Sequence, residues 1–591
     1  MPELNRKDVP VQDTWNLSDL FLNDGAWKES GDKIASLAQV FCEKYEGKLK
    51  GSDNVPLLLQ AVSDFDDIHS LVSPFAAYAQ LDYAADHTDA QKAAKAKRMS
   101  SLLSELSARL SFFRSELSEL DVEVLAEAAK SEEFGAFLEE IIREKKHRLH
   151  PETERVLAAL SGSIIDLPEE SYSAAKLADM DFGSFNVNGE ELPLSFSLFE
   201  EKYQYEPDYD IRHQAFQAFS DVLGNYRHTI ATAYNAQVQK EVTLSRLRGY
   251  DSVTDYLLAD HNVSADLYNR QLDLTGGKLA APMRRYARKI QEKYGLAEMT
   301  WADLKLAPIP GGYPEVSRAQ ARDMIMSAVS VMGKPYQDII AAAFQGSWID
   351  FAENKGKSTG AFCAQPYGRH PYILVNWQNS MADVYTLAHE LGHAAQTMIS
   401  QEKNRALVTS PSTYFIEAPS TIHELFLTQY LMSDPKYKQM SAALMTANTF
   451  YHNFVTHLLE GVFQREVYSA AEGGKDLAAD DFDEIKAKVL SDFWGKDVRL
   501  NPGAERTWMR QPHYYMGLYP YTYSAGLTVA TVVSMRIAQG EKETVSDWLT
   551  TLAAGGTLDP VKLAALAGVD ITTDEPLLSA ISYVDSLIEQ I

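Results

Sequence analysis

Residues 383–398 read Asp-Val-Tyr-Thr-Leu-Ala-His-Glu-Leu-Gly-His-Ala-Ala-Gln-Thr-Met. Leu387, Ala388, Leu391, Ala394, Ala395 and Met398 recur at helical spacing, so the stretch reads as a buried helix. His389 and His393 stand four apart and share one face, which lets both imidazoles point at one ion. Glu390 is the next residue, and its carboxylate reaches the fourth position of such an ion, where a water would sit. The plainer reading is two core histidines bonded to neighbours. Two buried imidazoles and a buried carboxylate are costly without strong partners, which favours the metal.

A third ligand is needed. The longer HExxHxxGxxH pattern fails, because Gln396 and Ile399 occupy the required Gly and His positions. A downstream carboxylate is the alternative, giving a His2Glu set with an open position for water. Tyr414-Phe-Ile-Glu417-Ala-Pro419-Ser420-Thr-Ile-His423-Glu424 supplies it. Pro419 suits the first turn of a helix, which puts Glu417 at its start. Glu424 follows two turns later on the same side. Glu417 is read as the ligand and Glu424 as the acceptor for the free N–H of a ligand histidine. Spacing alone also permits the reverse. His423 falls off that face and reads as structural.

Just before the motif helix the period changes. Residues 360–365 (GAFCAQ) and 371–377 (PYILVNW) read as strands joined by a turn at PYGRHP. Further back, the first 200 residues read as a helical lobe. One helix is expected over 32–49, with Ile34, Leu37, Val40 and Phe41 on one face. Others are expected over 90–119, 122–129 and 151–160. A β-hairpin is expected around Asn188-Gly189 in DFGSFNVNGEELPLSF. Long helices follow over 207–259 and 265–293, then a turn-rich connector at 308–314 and a helix near 317–332. The expected class is mainly α with a small sheet beside the motif helix. The expected domains are 1–200, an N-terminal helical lobe, and 201–591, the catalytic part.

Composition is that of a globular chain and excludes a mainly disordered or fibrous one. Of 591 residues, 45% are hydrophobic and 23% charged. There are 55 basic and 82 acidic residues, a net charge of -27. That argues against a nucleic-acid partner, whose phosphates need Lys and Arg, and hints at neutral or basic ligands. Two cysteines, Cys42 and Cys363, exclude a disulfide framework and a Cys-based zinc site. No apolar run at the start reads as a secretion signal, and no stretch reads as a membrane span. The expected compartment is the cytoplasm.

Residues 513–523 read His-Tyr-Tyr-Met-Gly-Leu-Tyr-Pro-Tyr-Thr-Tyr. Any one of these tyrosines reads first as packing. Together they are also a set of O–H and N–H donors suited to a developing oxyanion.

HELGH followed by FIEAPS resembles the thimet oligopeptidase family of zinc metallopeptidases. TWNLSDLF near the start, GAFCAQPYGRHPYILVNW and TWMRQPHYYMGLYPYTYSAG resemble its oligoendopeptidase F branch. The likeness covers nearly the whole chain. It departs at Cys363, where a small polar residue is commoner, and in lacking the double-glycine loop of the thimet branch. The resemblance implies a mainly helical, two-lobed ellipsoid with one zinc per chain deep in a channel. It also implies cleavage inside short peptides. Glu417 matches the family's third zinc ligand. His513, then Tyr515 and Tyr521, then Tyr519, match the segment whose donors hold the oxyanion, with Tyr514 and Tyr523 left as packing. Glu390 is the expected general base, and Gly360, Ala361 and Phe362 are expected to take the peptide as an added strand. The alternatives are a dipeptidyl carboxypeptidase or other exopeptidase, with Arg510 as the cation for a terminal carboxylate, and a non-catalytic peptide-binding protein.

Overall fold

The computed structural model describes residues 4–160 and 164–591. Helices dominate, and among the described residues the named strands are five and short. Two compact units are built from interleaved segments. The first takes Met1–Arg148, Pro314–Tyr430 and Val533–Val569, the second Leu149–Tyr313, Leu431–Val532 and Asp570–Ile591. The lobe read from sequence as 1–200 therefore contributes to both.

In the first unit, three helices carry the core: Asp24–Tyr45, Val55–Ala85 and Ala90–Glu119. Asn23, Asn54 and Asp89 cap them by accepting from backbone N–H groups of the first turn. The first begins earlier than its expected bound. Its buried face runs through Ile34, Ala38, Phe41 and Tyr45, and Val40, expected on that face, is 56% exposed. Val40 falls outside the i, i+4, i+7 progression that the other four follow. The helix over Val55–Ala85 has no counterpart among the expected helices. It packs against both of the others, so it is apolar on more than one side and lacks a single stripe. Pro74 lies inside it and further obscures the pattern.

Trp27 anchors these helices. Its ring stacks on Phe75 with centroids 4.8 Å apart and planes 4° from parallel. Its Nε1 donates to the Phe75 carbonyl at 2.9 Å.

The same unit holds a three-stranded sheet. β1 (Ser184–Val187) and β2 (Glu190–Pro193) belong to the second unit; β3 (Ile349–Asp350), β4 (Phe362–Ala364) and β5 (Tyr372–Leu374) belong here. The order is β3-β5-β4, with β3 parallel to β5 and β4 antiparallel to it in the register Cys363↔Ile373. β5 is fully buried, and Tyr372 and Leu374 join the core built by the three helices. β4 is an edge, and it packs against the motif helix.

In the second unit, β1 and β2 form the expected hairpin. Asn188 (φ 53°) and Gly189 (φ 90°) both take positive φ, as a two-residue type I′ turn demands. The long helix expected over 207–259 divides at Gly249 (φ 71°) into Tyr209–Leu247 and Val253–Leu258, the second capped by Ser252. The helix Ala265–Tyr294 ends on Gly295 in the left-handed conformation.

Trp27→Ala is expected to lower stability by about 3–5 kcal/mol, the usual cost of removing a buried aromatic ring. Denaturant unfolding followed by circular dichroism checks this, and a midpoint unchanged from wild type would contradict the anchoring role.

Candidate metal centre

The motif helix runs Met381–Gln401. Ser380 starts it with a capping box: Ser380 Oγ accepts from Asp383 N at 3.1 Å, and Asp383 Oδ2 accepts from Ser380 N at 2.9 Å. Its apolar face is sunk in the first unit. The second helix, Ala418–Met432, begins one residue after Glu417, and the Glu417 carbonyl accepts its first-turn bond from Thr421 N at 3.0 Å. Pro419 occupies the second helical position, where its missing N–H leaves no bond unmade.

These two helices bring His389, His393 and Glu417 together. His389 Nε2 lies 3.2 Å from Glu417 Oε2, and His393 Nε2 lies 3.5 Å from the same oxygen. The imidazole planes stand 78° apart with centroids at 5.1 Å. Ligand atoms at about 2.0–2.2 Å from a tetrahedral zinc stand roughly 3.3–3.5 Å from one another, so the donor set fits that ion. Ser420 Oγ donates to Glu417 Oε2 at 2.9 Å and steadies the carboxylate. Glu424 Oε1 sits 2.7 Å from His389 Nδ1, on the ring nitrogen turned away from Glu417. The histidine is thereby held in one orientation with Nε2 free for a metal.

The charges around this centre lean negative. Burial opposes a charge on Glu417, yet the facing imidazoles hold its carboxyl well below the usual range. Burial likewise opposes protonation of His389, but Glu417 and Glu424 raise its pKa well above the ordinary value. Glu390 is 6% exposed, and burial pushes its carboxyl up. His423 is buried and bonded to Tyr336, with Oη and Nε2 at 2.6 Å, and burial lowers it to about 3.

Gly392 explains how the helices come so close. A Cβ there would lie 2.2 Å from the Pro419 carbonyl oxygen and 2.7 Å from Ser420 Cα. Both neighbours are backbone, so neither can swing aside. β4 approaches the same helix, and the charge of Glu390 helps to raise the Cys363 thiol after burial has done so.

The late aromatic segment lies in the second unit. His513, Tyr519 and Tyr523 are half-buried and share a face: His513–Tyr519 centroids are 5.4 Å apart, His513–Tyr523 5.8 Å and Tyr519–Tyr523 5.4 Å. Tyr523, read from sequence as packing, is thus beside His513, and it stacks on His457 at 4.1 Å. Tyr515 and Tyr521 are not brought to this face. Tyr515 is buried and stacks on Tyr172 at 4.8 Å. Tyr521 is buried, packs edge-on against Tyr268 and meets His261 Nδ1 at 3.0 Å. Tyr519 and Tyr523 are four apart as the helix Pro520–Ala538 begins, so they share a side while Tyr521 faces away. A second His/Glu/His group, His457, Glu460 and His513, lies nearby. Both ring nitrogens of His457 are engaged, Nδ1 with Glu460 at 2.7 Å and Nε2 with His452 at 3.0 Å.

The model of peptidase family M3 matches residues 329–583, and that of the oligopeptidase F N-terminal region matches 116–182. The chain is 24% identical to oligopeptidase PepF of Bacillus subtilis, over 99% of this chain and 88% of that protein. It is 24% identical to the plasmid-encoded oligoendopeptidase F of Lactococcus lactis subsp. cremoris, over 99% of this chain and 98% of that one. The crystal structure of oligoendopeptidase-F from Enterococcus faecium has the same fold, with TM-score 0.72 at 21% identity over 96% of this chain and 98% of that one.

Gly392→Ala is expected to part the two helices at the cost of roughly 1–3 kcal/mol. Divalent metal retained after dialysis, read by elemental analysis, should fall well below wild type. Full retention would show that the close approach is not needed to hold Glu417 in place.

Proposed function

We propose that this chain, which belongs to peptidase family M3 and is of the oligopeptidase F type, is a zinc-dependent endopeptidase acting on short peptides. The observation that carries the reading is the meeting of His389 Nε2, His393 Nε2 and Glu417 Oε2 at metal-ligand spacing, with Glu390 as the next residue on the same helix. A zinc ion held there supplies Lewis acidity that makes water nucleophilic near neutral pH. Glu390 takes the proton of the attacking water and passes it to the leaving amine. Its buried, raised carboxyl suits both directions of that transfer. Glu424 keeps His389 turned and prevents it from rotating out of the set.

The peptide is assigned to the free edge of β4 and the residues leading into it, Gly360, Ala361 and Phe362. Gly360 has φ 75°, and its carbonyl accepts from Asn376 Nδ2 at 3.0 Å, which fixes the approach to the strand. Main-chain pairing there would be indifferent to substrate sequence. His513 is assigned as an oxyanion donor. Of the tyrosines, the face shared by Tyr519 and Tyr523 supports them ahead of Tyr515 and Tyr521. Arg510, the candidate anchor for an exopeptidase, is committed to Glu200 at 2.7 Å, which does not favour that reading. No helix among the described residues is long and apolar enough to cross a membrane, and two free cysteines suit the cytoplasm.

Glu390→Gln should keep zinc and lose peptide hydrolysis by about 10²–10⁴-fold or more. His393→Ala should lose zinc as well. Near-normal turnover by Glu390→Gln, measured on end-blocked peptides with a chelator control, would remove Glu390 from the mechanism. His513→Ala should lower kcat by about 10²–10³-fold with KM little changed, as loss of an oxyanion donor does. A change confined to KM would instead make His513 a binding residue.

A further inference from the structure

The second unit holds a partly open cavity of about 460 Å³. Its wall carries Lys176, Arg212, Lys305, Lys486 and Arg510 against the carboxylates of Glu200 and Glu460. Several of these cations are already matched. Arg510 donates to Glu200 Oε1 from Nη2 at 2.7 Å and from Nε at 3.1 Å. Arg212 Nε donates to Asp303 Oδ1 at 3.0 Å, and Lys176 donates to the Arg510 carbonyl at 2.9 Å.

Lys305 and Lys486 are different. Lys486 is 4% exposed and Lys305 half-buried. Among the described residues, neither ammonium has a hydrogen-bond acceptor within 3.5 Å or a carboxylate within 4.0 Å. Each instead lies over an aromatic ring, Lys305 Nζ 4.5 Å from the Tyr451 centroid and Lys486 Nζ 5.4 Å from that of Phe463. An ammonium carries three donors, and at the wall of a cavity these are open to an incoming acceptor. Burial lowers both lysines to about 8, so they still carry charge at neutral pH. His513 lines the same cavity, and its Nδ1 is buried without a partner. His452, His457 and His513 are held neutral by burial and add no charge. With Arg212 and Arg510 cancelled by their partners, three lysines face one carboxylate, Glu460, which burial raises to about 7.

Such a wall repels cations and calls for an anion. The cavity is too roomy for a small ion alone, and Phe199, Trp301, Val455 and Leu459 give it apolar surface for a carbon chain. From this we infer that the cavity recognises a carboxylate of the peptide substrate, gripped by the ammonium groups of Lys486 and Lys305. The inference rests on the peptidase reading above, and it runs against the chain's overall charge of -27, which would favour basic peptides. Two sources supply that chemistry, the free C-terminus and an Asp or Glu side chain.

Two peptide pairs separate the sources in the full-length enzyme: a peptide with a free C-terminus against its C-terminal amide, and an end-blocked peptide with Glu against the same with Gln. One pair should show a KM lower by about tenfold or more for the carboxylate member, the loss expected for one charged hydrogen bond. Lys486→Met and Lys305→Met should each shrink that difference while kcat on the uncharged member stays near wild type. A melting temperature near wild type verifies that each variant is folded, and the two variants guard against failure of either one. No difference within either pair, or a difference that survives both substitutions, overturns the inference. Inorganic phosphate binding more tightly than any carboxylate peptide, in a Lys486-dependent way, overturns it too. Calorimetric binding of the same pairs to Glu390→Gln reads carboxylate preference without turnover. A protein that cleaves nothing would therefore sink the peptidase reading separately from this one.

Discussion

The centre depends on a backbone approach that leaves no room for a side chain. Gly392 stands between His389 and His393 in sequence, and the chain just after Glu417 crosses over it with the Pro419 carbonyl oxygen 2.2 Å from where a Cβ would be. One helix supplies two imidazoles by periodicity alone. The carboxylate has to be brought from a second helix, and contact of backbone on backbone sets that distance. Side-chain packing adapts by rotamer changes, whereas two backbones in contact have little freedom to adapt. The spacing of 3.2 and 3.5 Å from Glu417 to the two Nε2 atoms is thus a product of helix packing as much as of the donors themselves.

Charge is arranged locally against the average. The chain as a whole is strongly acidic, yet two of its buried polar regions differ in sign. In the first unit two carboxylates, Glu417 and Glu424, embrace two imidazoles, a surplus suited to a dication. In the second unit ammonium groups line a cavity with too few acids to answer them. Surface charge is screened within about 10 Å at ordinary ionic strength, so the buried groups and not the net charge decide what each region prefers.

Much of the fold was legible in the sequence, for reasons visible in particular residues. Helices with one apolar stripe, such as Ala90–Glu119, declare themselves by period, and the hairpin declares itself by Asn188-Gly189. The helix Val55–Ala85 did not, because a helix buried on several sides has no stripe to read. In the metal centre, the i, i+4 histidines and the seven-residue gap between the two glutamates carried their geometry in their spacing. The aromatic segment was harder. Its tyrosines lie at a transition from a 3-10 turn at Pro512–Tyr515 to a helix at Pro520, and without that boundary Tyr521 and Tyr523 cannot be told apart. Lys305 and Lys486 stand 181 positions apart, and no local pattern announces that they face one cavity.

Each unit is assembled from an early, a middle and a late stretch of the chain. On the ribosome, the residues that form the core around Trp27 emerge long before Tyr372 and Leu374, which complete it. The segment carrying His389, His393 and Glu417 appears while the last part of its own unit, Val533–Val569, is still unmade. No single cut in the gene would yield either unit intact. Each unit therefore closes only after its last stretch has been made, and neither can be completed from an early fragment of the chain.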